Sequence, residues 1–316
     1  MSPILLTGPT ASGKSAVAIE LALRIGGEII SVDSMQVYRG LDIGTAKPSG
    51  DERARVPHHL MDVVGLDEPF DAARFVQLAN AAIQDIEGRG RTAILCGGTG
   101  LYFNAWLGGL GSAPPPDPDL RAQLEAATTA ELLEELARKD PVTLDQIDIQ
   151  NRRRLVRAVE VIRITGKPFS LQRAKWPEQG GLATAGRAFG IQRDRQDLVR
   201  RIHERVERMF AAGLVAETQE RLQQGLRENR TAMQAIGYRQ VVEHLEGLMS
   251  LRATLERVQI KTRQYAKRQM TWMQGQLDLA WLEIGSKETP SETADRILRL
   301  WEATPTASDP TPSPNG

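Results

Sequence analysis

The stretch GPTASGKS, residues 8–15, comes after the apolar run ILL and precedes the helical pattern SAVAIELALRI. A Gly-x4-Gly-Lys-Ser loop set between a strand and a helix turns backbone N–H groups and the positive end of the helix onto an anion. Such a junction belongs to a βα unit, so the chain is expected to form an α/β fold: a P-loop-containing parallel sheet flanked by helices. The first hundred residues keep that rhythm, with EIISVDS, FVQLANAAIQDIEG and RTAILCGG alternating strand-like and helical patterns. Ligands of such sheets lie at the carboxyl ends of the strands. Asp33 and the GGTG of residues 97–100 each come directly after a strand-like run and should meet the loop there.

The proline-rich GSAPPPDPD of residues 111–119 interrupts the pattern, and the chain from there to about Thr165 is helical. The expected organisation is a catalytic core of residues 1–112 and 186–300 with a small helical domain, 113–185, inserted into it. Strand-like character returns in RAFGI, and the late LAWLEI is expected to add an edge strand. The Pro/Ser/Thr-rich residues 304–316 are expected to be a disordered tail.

Composition removes several classes of function. No apolar run approaches the ~18 residues of a membrane span, and the N-terminus lacks the pattern of a secretory signal, so a cytoplasmic protein is expected. Cys96 is the single cysteine, which rules out an internal disulfide and a cysteine-based zinc cluster, and it reads as a buried strand thiol. The four histidines show no i, i+4 pair. The 40 basic and 40 acidic residues cancel, which alone argues against a nucleic-acid binder. Their distribution argues otherwise. Residues 117–148 carry nine acids against three bases, residues 150–173 seven bases against one acid, and residues 257–268 five bases and no acid. These blocks are either solvated helix faces or sites for an anionic polymer.

In the loop, Lys14 is suited to the terminal phosphate and the Ser15 hydroxyl to a Mg²⁺ ion, the implied cofactor. Phosphate binding does not name a reaction, because kinases, ATPases and other phosphate-handling enzymes share it. Asp33, eighteen residues beyond Ser15, is a metal ligand, a general base or the cap of the next turn. A small-molecule kinase and a non-catalytic RNA-binding protein with a relic loop are the competing readings.

Seven segments in order, GPTASGKS, ISVDSMQVYRGLDIGTAKP, VPHHLMD, GGTGLYF, NRRRLVRAVEV, AIGYRQ and TRQYAKRQMTW, resemble the signature blocks of the tRNA dimethylallyltransferases, also called tRNA isopentenyltransferases. The resemblance runs from Gly8 to Trp272, and the zinc finger of the eukaryotic members is absent, which points to the bacterial type. It implies transfer of the dimethylallyl group from dimethylallyl diphosphate to the exocyclic amine of adenosine 37, beside the tRNA anticodon. By this resemblance Gly8, Pro9, Thr10, Ala11, Ser12, Gly13, Lys14 and Ser15 hold the diphosphate, Asp33 is the base, and Thr10, Lys14 and Arg205 act on the donor. Asp33, Ser34, Met35, Gln36 and Thr99 face the target adenosine. Arg121, Arg153, Arg154, Leu155, Val156, Arg157, Gln234, Ala235, Ile236, Gly237, Tyr238 and Arg239 contact the anticodon stem-loop, Tyr238 either stacking on a base or packing in the core. A monomer without membrane attachment is expected.

Overall fold

The structure, a computed structural model, describes residues 3–176 and 187–303. In chain order it has β1 (Ile4–Thr7), α1 (Lys14–Ile25), β2 (Glu28–Val32), α2 (Gly50–Arg55), β3 (His58–His59), α3 (Ala72–Gly88), β4 (Ala93–Gly97) and α4 (Gly100–Gly108). Next come α5 (Pro118–Ala126), α6 (Thr129–Lys139), α7 (Pro141–Gln146) and α8 (Arg152–Thr165). The chain continues with β5 (Ala188–Arg193), α9 (Arg195–Ala211), α10 (Leu214–Leu222), α11 (Tyr238–Leu245), α12 (Leu251–Gln276), β6 (Ala280–Ile284) and α13 (Pro290–Glu302).

All strand pairs are parallel and the order is β3-β2-β4-β1-β5-β6, with β6 at an edge as LAWLEI suggested. The chain leaves β1 toward β2 and β4 on one side and later returns to β5 and β6 on the other. The loop after β1 therefore sits where the strand order reverses, the crevice in which such sheets bind ligands. Both faces of the sheet are covered, so its strands are continuous apolar runs. Ile4 and Leu6 point into a core with Val17, Leu21 and Ile297, while Leu5 and Ile30 point into the opposite core with Phe75 and Ile86. That alternation is the period of two that a strand imposes.

The chain forms two compact units, one of residues 3–107 and 187–303 within the described range and the other Gly108–Trp176. The expected insert, 113–185, runs past the second unit into residues 177–185, which lie outside the described residues, as does the tail 304–316. The regular elements of the second unit are helices, closed by an antiparallel bridge between Gly111 and Arg173, and it has its own core, in which Leu124, Leu132 and Leu136 meet Leu155, Val159 and Ile162. Leu155 and Val156, expected to contact RNA, are among its buried side chains, at 0% and 3% exposure. Helical periodicity turns them inward while Arg153 and Arg154 are exposed.

Candidate active site

The loop after β1 is shaped by two left-handed residues, Ala11 at φ 65° and Gly13 at φ 97°. Gly13 takes that conformation freely, but for Ala11 it costs about 1–2 kcal/mol. The Arg201 side chain compensates, its Nε donating to the Ala11 carbonyl at 3.0 Å. Arg193 Nε does the same to Ser12 O at 2.6 Å, and Arg193 is itself held by Asp197 and the Gly285 carbonyl. Gly13 is the N-cap of α1, and Ser15 is exposed in the first turn. Lys14 Nζ donates to Pro9 O at 3.4 Å. Burial pushes the Lys14 pKa down, nearby Arg205 adds to that, and Cys96 and Asp33 oppose it. Cys96 is buried, its thiol pushed up to about 11 by burial, so it stays protonated and is no nucleophile.

Three long side chains close over the loop. Arg205 on α9 donates to Thr10 Oγ1 at 3.1 Å. Burial, with Arg208 and Arg201 nearby, brings its pKa down to about 10, which leaves a charged guanidinium at neutral pH. Gln269 on α12 accepts from Thr10 N–H at 2.8 Å and donates to Gly98 O at 2.9 Å, tying the loop after β1 to the one after β4. Tyr265, one turn earlier, turns its hydroxyl to Thr99 and Gln269, and burial raises its pKa so that it remains a neutral phenol. Arg268 lies 5.8 Å from the centre of the Tyr265 ring.

Asp33 lies just beyond the carboxyl end of β2. Its Oδ1 accepts from the N–H groups of Met35 at 2.8 Å and Gln36 at 3.3 Å, so one oxygen caps the turn. Its Oδ2 accepts no protein hydrogen bond among the described residues. The Ser34 N–H donates to Thr99 Oγ1 at 3.1 Å. Asp33, Ser34 and Met35 line a cavity of about 350 Å³ together with Thr10 and Arg205. Its apolar walls are Val206, Met209, Ala235, Ile236 and Val258, and Gly44, Thr45, Ala46, Gln234, Thr262, Tyr265 and Arg268 complete it. A second pocket shares Gln234, Ile236 and Arg268 and adds Arg239, Gln240, Glu243, Arg257 and Lys261. The basic block 257–268 thus supplies the rim of both cavities.

Several expected contacts fall elsewhere. Tyr238 is fully buried in the core, where its hydroxyl donates to Glu217 and accepts from Gly44 N–H, so it does not stack on a base. Gly237 caps α11, its N–H donating to Gln240 Oε1. Gln36 uses its amide inside the protein, accepting from Ser31 Oγ and donating to Thr45 O and Ala46 O. In the second unit Arg121 and Arg157 both donate to Glu160 Oε2 at 2.6 Å, and Glu160 is 0% exposed. The two arginines therefore neutralise a buried carboxylate, and their charges are already engaged. Gln269, Tyr265, Arg193 and Arg201 are site residues that the sequence alone does not single out. The only cue is that Gln269 and Tyr265 fall within TRQYAKRQMTW.

The loop after β1 thus lies beside a cavity that has apolar walls and one carboxylate, Asp33. The IPP transferase family model matches residues 36–276. The chain is 47% identical over 290 residues to the tRNA dimethylallyltransferase of Geobacter metallireducens, covering 90% of this chain and 93% of that one. It is 41% identical over 308 residues to the tRNA dimethylallyltransferase of Pelotomaculum thermopropionicum, covering 95% and 96%. The crystal structure of the full-length tRNA isopentenylpyrophosphate transferase of Bacillus halodurans superposes with a TM-score of 0.68 at 35% identity, covering 96% of this chain and 97% of that one. A eukaryotic dimethylallyltransferase caught acting on tRNA superposes with a TM-score of 0.70 at 26% identity, covering 96% of this chain and 76% of that one. The chain belongs to the tRNA dimethylallyltransferase family and is an enzyme of the prenyltransferase class.

Proposed function

We propose that the enzyme transfers the dimethylallyl group of dimethylallyl diphosphate to the exocyclic amine of adenosine 37 in the anticodon stem-loop of tRNA. The observation that carries this is the meeting of Asp33, Thr10 and Arg205 in one cavity with apolar walls. An adenine amine is a weak nucleophile, so a carboxylate that takes its proton as the bond forms assists it. In the transfer, the amine nitrogen bonds to the allylic carbon, the carbon–oxygen bond of the ester breaks, and pyrophosphate leaves with the electron pair. The amine proton goes to Asp33 Oδ2, the oxygen not used by the turn. Arg205, Lys14 and the loop N–H groups face the charge that grows on the leaving group, in surroundings that amplify such interactions. Val206, Met209 and Val258 keep water from the allylic carbon. The target base must leave the anticodon stack to reach Asp33.

A Mg²⁺ ion fits the donor set. Mg²⁺ is commonly held by one or two protein oxygens with substrate phosphates and waters, and Ser15 presents an exposed hydroxyl beside Lys14. When bound, the ion would neutralise diphosphate charge. Exposed Arg154 and the pocket with Arg239, Arg257 and Lys261 suit phosphates of the stem-loop. No helix among the described residues is long and apolar enough to cross a membrane. A monomer working in the cytoplasm, where its RNA is made, completes the proposal.

The test is transfer of label from dimethylallyl diphosphate to unmodified tRNA, with Mg²⁺ and without ATP, in the wild type and in Asp33→Asn. The asparagine oxygen keeps the cap but cannot take the proton, so kcat should fall by ~10²- to 10⁴-fold. No transfer by the wild type, with ATP hydrolysed instead, would overturn the reaction. A variant within tenfold of the wild type would overturn the role of Asp33.

A further inference from the structure

One wall of the cavity that Asp33 lines is a loop held from behind. Gly44, Thr45 and Ala46 line the cavity beside Asp33, Ser34 and Met35. Behind them Glu217, on α10, takes the N–H groups of Asp42 at 3.2 Å and Ile43 at 3.0 Å. The Tyr238 hydroxyl donates to Glu217 Oε1 at 2.6 Å and accepts the Gly44 N–H at 3.1 Å. Three consecutive backbone donors thus end on one carboxylate and one phenol. On the other flank, Gln36 Nε2 donates to Thr45 O at 3.1 Å and Ala46 O at 3.4 Å. Gly44 lies so close to the Tyr238 ring that a Cβ there would stand 2.4 Å from Cε2.

We infer that Glu217 and Tyr238 are positioning residues for the acceptor base: they fix the height of the 44–46 wall, against which the extruded adenine is set relative to Asp33. The inference rests on the transfer reaction proposed above. Glu217 and Tyr238 do not touch the reacting atoms; they act through the loop. The donor side of the cavity, with Thr10 and Arg205, is held by a separate set of bonds from Gln269 and the α9 arginines. Damage to the clamp should therefore be felt by one substrate and not by the other. A base displaced by even part of an ångström loses the geometry that proton transfer and bond formation require.

The experiment is steady-state kinetics of Tyr238→Phe and Glu217→Gln, with each substrate varied in turn and thermal denaturation run alongside. Tyr238→Phe removes the acceptor of Gly44 N–H, and the unpartnered donor should raise the KM for an anticodon stem-loop RNA about tenfold. Glu217→Gln keeps the side-chain volume and should act in the same direction. The KM for dimethylallyl diphosphate should stay within twofold. The inference falls if both KM values rise together, or if neither moves while only the folded fraction or Tm declines. A wild type that transfers no dimethylallyl group overturns the proposed reaction, a result separate from either of these.

Discussion

Glu28 opens β2 at the end of the sheet opposite the cavity and is fully buried, with 0% exposure. Its carboxylate accepts from both Arg89 guanidinium nitrogens, from Arg91 Nη1 at 2.8 Å, and is 2.7 Å from His59 Nε2. Arg89 foremost, with His59 and Arg91, brings the Glu28 pKa from 4.5 to about 2 against the opposing effect of burial. At 1.36 kcal/mol per pKa unit this difference is about 3 kcal/mol of stability at neutral pH. The folded-state pKa is depressed, so the contribution is complete above the unfolded value near 4.5 and is lost as the pH falls toward 2. At pH 3 less than half of it should remain. Glu28→Gln should therefore lower stability by about 3 kcal/mol at pH 7, roughly 6–12 °C in Tm for a unit of this size. The gap between wild type and variant should narrow to less than half at pH 3. Differential scanning calorimetry at both pH values measures it. A gap under about 1 kcal/mol at pH 7, or one that stays constant between the two pH values, would refute the assignment of that stability to the ionised carboxylate. Because Glu28 lies far from the cavity, kcat of the folded variant should not change.

The remaining predictions concern the two substrates and the second unit. Arg205→Ala should reduce kcat/KM for dimethylallyl diphosphate by ~10²- to 10³-fold, and steady-state kinetics giving less than a tenfold loss would remove it from the donor site. Gln269→Ala leaves Thr10 N–H and Gly98 O without their partner; at ~1–3 kcal/mol for each lost pairing, calorimetric affinity for a non-reactive thio-analogue of the donor should drop at least tenfold. Arg154→Ala should weaken stem-loop binding and lower its salt slope by about one, which a filter-binding titration between low and moderate salt reads directly. Replacing both Arg121 and Arg157 by Ala leaves the buried Glu160 carboxylate uncompensated and should destabilise the second unit by about 3–5 kcal/mol, seen as loss of a cooperative step in hydrogen exchange rather than as a change in donor KM.

Local rules reach the strands, the phosphate loop, Asp33 and the GGTG turn because each is written in neighbouring residues with a defined period or spacing. They fail where partners are far apart in sequence. Gln269 joins Thr10 across 259 residues, and on a helix rich in Arg and Lys it reads as one more polar position. Tyr238 is ambiguous from sequence because an aromatic ring with a hydroxyl suits a base stack and a hydrogen-bonded core equally; the Glu217 carboxylate decides it. Arg121 and Arg157 resemble a face for RNA because the burial of Glu160 is invisible in a list of charges. Strand β3, with only two residues, is too short for periodicity to reveal.

The phosphate loop, encoded early, is completed late. It leaves the ribosome with β1, yet the side chains that grip it arrive 195 residues later in Arg205 and 259 residues later in Gln269. The second unit, made of helices close in sequence, can form while the sheet still waits for β5 and β6, because short-range contacts close faster than long-range ones. A chain cut off before α12 would carry the phosphate motif intact but lack Gln269 and the cavity wall that Val258, Thr262, Tyr265 and Arg268 supply. Products that end before α12 should therefore hold the isoprenoid donor more weakly than the whole chain, because Thr10 loses its Gln269 partner.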